Sequence, residues 1–175
     1  MKKKNVFYYL FIAVGWTLLL FYLSSMSYSE QTIRPYLQVL VTEQQIELVF
    51  SKLPFYIIND KITIENLGAY GLVEYLIRKG AHLFFYSVLG YTIVRYFTCS
   101  IGLKIRRLLF LSITTLLIIS MMDEFLQHLH HGRSGQWSDV FLNGMGGIKG
   151  MITGLIAGYR IKHAATKQKS ANPNL

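Results

Sequence analysis

The chain has 175 residues, 52% of them hydrophobic and 15% charged, with a mean hydropathy of +0.34. Soluble domains carry roughly 25% charged residues, so this composition excludes a water-soluble globule and predicts a single-domain integral membrane protein. The net charge of +9 does not indicate nucleic-acid binding: the excess lies at the ends and in one short loop, without the aromatic–basic interleaving that stacks bases.

The first predicted element runs over residues 5–29, which carry no charge until Glu30 and follow Lys2, Lys3 and Lys4. It is long enough to cross about 30 Å of hydrocarbon as a helix. Ser25-Met26-Ser27 is a small-x-small site, so a cleaved signal peptide competes with an anchor. The apolar stretch exceeds the roughly 7–15 residues of a signal peptide, which favours an uncleaved anchor over residues 1–24. Residues 25–73 are too polar to span and form an extracytoplasmic segment. Within them, residues 46–58 mix Leu48, Val49, Phe50, Phe55 and Ile57 with Glu47 and Lys52. This pattern predicts a short amphipathic piece on the membrane or over the bundle, broken at Pro54. It serves as a connector or a lid, and the connector is favoured.

Three further spans are predicted over 75–97, 108–127 and 139–159, within a membrane core of residues 74–160. A basic tail follows over 161–175. The predicted fold is therefore an all-α membrane protein with four transmembrane helices and an extracytoplasmic segment between the first two. Lys2, Lys3, Lys4, Arg95, Lys104, Arg106, Arg107, Arg160, Lys162, Lys167 and Lys169 then share one side, and all nine acids fall on the other side or at its helix ends. The positive-inside rule places both termini in the cytoplasm. Cys99 is the single cysteine, so no internal disulfide forms.

The charged clusters enter the membrane because the apolar runs are short. The uncharged stretches 80–94 and 108–122 would each cover about 22 Å as helix, short of the hydrocarbon thickness. Helical spacing puts Arg78 and Lys79 on the face of His82, with Tyr86 one turn deeper; it pairs Asp123 and Glu124 with Gln127, and Asp139 with Asn143. Arg78, Lys79 and Arg133 offset Asp123, Glu124 and Asp139, and a shared, nearly neutral pocket is the cheapest arrangement. Gly146, Gly150, Gly154 and Gly158, with Gly147 beside them, form a small-residue face for helix packing. Lys149 interrupts that helix, directed to a bundle acid or to water.

These blocks resemble the VanZ-like family of bacterial membrane proteins. The resemblance rests on Arg78-Lys79-x-x-His82-x-x-x-Tyr86-x-x-Leu89-Gly90, then Asp123-Glu124-x-x-Gln127, Gly132-Arg133-Ser134-Gly135, Asp139, Asn143 and the following glycines. It covers residues 76–158 and leaves the segment 25–73 outside. His128-Leu129-His130-His131 and Lys149 depart from the family pattern. The resemblance implies a multi-pass protein of the bacterial plasma membrane. Its namesake is associated with resistance to the glycopeptide teicoplanin, and the family name implies no reaction.

Several functions remain open on the residues. Arg78, Lys79, Tyr86, Gln127, Arg133, Asp139 and Asn143 are the candidate ligands for a membrane lipid or lipid-linked cell-wall precursor. In an enzyme, Glu124 or Asp123 would act as general acid or base and His82 as proton shuttle. In a structural protein, the same charges would lock the helices together. Four spans without internal repeats make a thin case for a transporter. Glu124, His128 and His131 share a possible ligand face, but solvated loop histidines are favoured, so neither a metal nor another cofactor is expected.

Overall fold

The computed structural model describes residues 3–52, 62–100, 103–129 and 137–171. The described residues are helical, without strands. The order is α1 (Lys3–Ser24), α2 (Arg34–Leu40), α3 (Glu43–Lys52), α4 (Ile64–Leu67), α5 (Ala69–Ser100), α6 (Ile105–Leu129) and α7 (Trp137–Ala171). Among the described residues, three stretches are long and apolar enough to cross a membrane: Val6–Ser24, Ile105–Leu129 and Trp137–Ile161. With 32 residues, α5 has the length, but Arg78, Lys79, His82 and Arg95 dilute its apolar character.

The first helix ends at Ser24, within the uncharged stretch that continues to residue 29. Ser25 turns its hydroxyl back to the Phe21 carbonyl, and Glu30 accepts from the Ser27 N–H at 2.7 Å. These local bonds offer the backbone a turn in place of another helical one. Helix α2 carries Pro35 in its first turn, where the missing N–H costs nothing. Helix α4 is capped by Thr63, which accepts from the Asn66 N–H at 3.2 Å. Gly68 then takes φ +72°, the single left-handed residue among those described, and redirects the chain into α5. The expected amphipathic piece begins as α3; Pro54 and residues 55–58 lie outside the described residues.

Helices α5 and α7 make the most extensive contact, and glycine is the reason. A Cβ on Gly150 would overlap the Ser87 carbonyl, one on Gly90 would overlap that of Gly147, and one on Gly146 would lie 2.6 Å from the Leu83 carbonyl. The backbones approach as closely as a small-residue face permits. Around this pair the core is Leu20, Tyr86, Leu89, Ile93 and Leu116, with a second cluster of Val94, Leu108 and Met151. The first helix is tied in by the Trp16 indole, which donates to the Phe85 carbonyl at 2.9 Å. Lys149 is exposed on the side of α7 away from the glycines.

The chain runs so that the end of α1, the start of α5, the end of α6 and the start of α7 meet at one end of the bundle. Helices α2, α3 and α4 pack there against α5. We call this the cap end. At the opposite end Arg95 is 2% exposed, its guanidinium 5.2 Å from the Tyr9 ring.

Candidate functional site

The polar clusters of the three long helices converge at the cap end. Asp123, 1% exposed, accepts from the Ser24 hydroxyl and from the Tyr86 hydroxyl at 2.9 Å. One turn of α7 brings Asn143, fully buried, between α5 and α6. Its amide nitrogen donates to Ser120 Oγ at 3.1 Å and to Glu124 Oε1 at 3.3 Å, and its Oδ1 lies 3.0 Å from His82 Nδ1. Lys79 pairs with Asp139 across α5 and α7. Buried polar groups this dense persist only where each finds partners.

A cavity of about 610 Å³ opens above this network. Arg78, Lys79, His82, Asp123, Gln127 and Asp139 border it, facing Ser24, Tyr28 and an apolar wall of Leu20, Leu23 and Phe85. Of the sequence candidates, Tyr86, Glu124 and Asn143 sit behind the cavity rather than on its surface, where they brace Asp123 and His82. Arg133 lies outside the described residues, as do His130 and His131, and His128 is exposed.

Arg78 departs from the expected pairing. Its Nη2 reaches Glu74 at 3.3 Å, one helical turn back on α5, and its guanidinium stacks on the Tyr28 ring at 4.2 Å. Glu74, 1% exposed, is the centre of a knot that tethers the segment after α1. It accepts from Arg34 Nε at 2.8 Å, from Tyr28 at 2.9 Å and from the Ile33 N–H at 3.1 Å. The i,i+4 spacing of Glu74 and Arg78 was legible; Arg34, Tyr28 and Ser24 carried no signal, because their partners are remote in sequence.

Burial alone would raise the Glu74 carboxyl, but the hydrogen bonds from Arg34, Tyr28 and the Ile33 N–H outweigh it and bring it from 4.5 to about 2. A depressed carboxylate stabilises fully above its unfolded value and loses that contribution as pH falls through the folded one. The knot should therefore hold above pH 4.5 and loosen toward pH 2. Hydrogen exchange across residues 28–40, corrected for the intrinsic pH dependence of exchange, should accelerate in that window. In Glu74→Gln it should be fast at all pH values; a wild-type protein with flat protection down to pH 2 would contradict this.

Neither curated proteins nor solved structures gave a match to this chain. The family model described as VanZ/LLP1 matches residues 7–158. That range starts well before the motif-bearing residues 76–158 and takes in most of α1 and the segment 25–73, so the cap helices lie within the matched range. With its polar network on membrane-length helices and a family match over most of its length, this chain belongs to the VanZ/LLP1 family.

Proposed function

We propose that the protein is a four-span membrane protein that binds an anionic head group, that of a lipid or a lipid-linked cell-wall precursor, in the cavity at the cap end. Helix α5 is the fourth span. Its 32 residues reach about 48 Å as helix, enough to cross the hydrocarbon and leave Glu74 beyond it. Both termini face the cytoplasm, following the basic residues of the N-terminus, the α5–α6 loop and the tail. The cap end and residues 25–73 face outward, where cell-wall precursors are handled. Occupying such a head group would change susceptibility to teicoplanin-type glycopeptides.

The observation that carries this reading is Arg78. Its Nε is buried, with no hydrogen-bond acceptor among the described residues, while the side chain as a whole remains 26% exposed beside the cavity. A guanidinium with a donor that lacks an acceptor suits an oxyanion. Lys79 stands one residue on, and the apolar wall of α1 suits the first carbons of the attached chain.

The test uses full-length protein in nanodiscs containing phosphatidylglycerol, read by native mass spectrometry. Wild-type protein should retain the anionic lipid over phosphatidylcholine. Arg78→Gln should weaken retention roughly 10-fold or more, the loss of a charge-assisted hydrogen bond of about 1.5–3 kcal/mol. Arg106→Gln, the same charge change on the exposed start of α6, should leave it unchanged. Equal retention by all three would reject the reading. In cells, Arg78→Gln at normal membrane abundance should alter teicoplanin susceptibility.

A second reading is favoured by the hydrogen-bonded chain from His82 through Asn143 to Glu124, which is also the wiring of an acid–base pair. It separates from binding by lipid analysis of cells: a lipid-linked species that changes with wild-type protein but not with Glu124→Gln supports chemistry.

A further inference from the structure

Three groups with one chemistry in common meet at the floor of the cavity and immediately behind it. One ring nitrogen of His82 and one oxygen each from Asp123 and Glu124 lie within 4.8 Å of one another. Ligand atoms about 2.0–2.2 Å from a metal are at most about 4.4 Å apart, so a small side-chain adjustment closes the set around one ion. The sequence alone did not join them, since His82 is on α5 and the two carboxylates are on α6.

The surroundings orient each ligand. Asn143 spends its amide donors on Ser120 and Glu124, so its Oδ1 accepts from His82 Nδ1. Nδ1 is thereby engaged, and an imidazole with one nitrogen held by a neighbouring oxygen can offer the other as a ligand. Ser24 and Tyr86 donate to different oxygens of Asp123, and a carboxylate oxygen has a second lone pair to offer. An independent observation points to a ligand at this place. Gln127, one turn on from Asp123 and 8% exposed, borders the same cavity without a hydrogen-bond partner among the described residues. Its amide opens on the cavity rather than being sealed in the core.

We propose that His82, Asp123 and Glu124 bind a first-row divalent cation such as Mn²⁺ or Zn²⁺ at the floor of the cavity. One nitrogen and two carboxylates suit these ions better than Ca²⁺, which takes oxygen ligands. Three protein ligands leave coordination open toward the cavity, where Gln127 can bond a metal-bound water or ligand. For what the ion would hold, a phosphate oxygen shared with Arg78, the inference rests on the head-group reading above.

The test uses full-length detergent-purified protein, stripped with EDTA and titrated with Mn²⁺. Loss of the free-ion EPR signal reports binding, and Zn²⁺ is added as competitor. Wild-type protein should take up about one ion per chain. Glu124→Gln and His82→Ala should abolish uptake, and Asn143→Ala, which keeps the ligands but loses their support, should weaken it about 10- to 100-fold. No uptake by monodisperse wild-type protein overturns the proposal, and so does uptake that persists in both ligand variants. Nanodisc lipid retention is measured on the same stripped and loaded samples. Retention by stripped protein that takes up no ion sinks the metal site and leaves the head-group reading standing. Ion uptake without lipid retention in either sample does the reverse.

Discussion

Asp123→Ala is expected to destabilise the protein by about 2–6 kcal/mol, because it strands two buried hydroxyls at about 1–3 kcal/mol each. Ser24 and Tyr86 come from α1 and α5, and both are buried. Their shared acceptor on α6 thus joins three helices through one side chain. The loss should appear as a lower midpoint in thermal unfolding of the detergent-solubilised protein. Adding Tyr86→Phe to Asp123→Ala removes one stranded donor and should recover about 1 kcal/mol or more, a non-additivity that identifies the hydrogen bond rather than a general packing defect. Glu43→Ala on exposed α3 should stay within about 0.5 kcal/mol of wild type. If Asp123→Ala were as mild as Glu43→Ala, Asp123 would not hold the cap end together.

Gly150→Ala is the second large effect. The added carbon meets the Ser87 carbonyl and, at 2.8 Å, the Tyr91 nitrogen. Both are backbone atoms in the middle of a helix, so no rotamer change makes room. The helices must part, and overpacking of this kind costs about 1–3 kcal/mol, occasionally more. Gly144→Ala is the control on the same helix: nothing lies within 4 Å of the added carbon, and alanine is the better helix former by about 1 kcal/mol. The expected pattern in a thermal melt is a clear loss for Gly150→Ala and no loss for Gly144→Ala. Equal midpoints would mean that α5 and α7 do not meet as closely as described.

Apolar run lengths located the long helices, and the spacing of charges identified which of their ends carry the polar residues. The glycines at four-residue intervals announced a close helix contact. Partner choice was less legible. Asp123 and Glu124 are neighbours in sequence but point about 100° apart on a helix, so which of them meets Tyr86 and which meets Asn143 depends on the rotation of α6, which no spacing within α6 reveals. Arg78 was expected among the α6 and α7 acids, yet Glu74 on its own helix was nearer and Tyr28 offered a ring. The network formed by Tyr28, Arg34 and Glu74 depends on how the segment after α1 folds back, a long-range event. Charge balance set Arg78, Lys79 and Arg133 as a group against Asp123, Glu124 and Asp139, without saying that Lys79 would meet Asp139.

The glycine contact has a mechanical consequence for the cavity. Backbone laid against backbone makes α5 and α7 behave as one beam, and that beam carries Lys79, His82, Asp139 and Asn143 in fixed relation. Asp123 and Glu124 belong to α6, and Ser24 to α1, neither of which is welded in this way. Any change in the width of the cavity therefore falls on α1 and α6, which the Ser24–Asp123 hydrogen bond latches to each other, rather than on the joined pair that carries the other half of the polar lining.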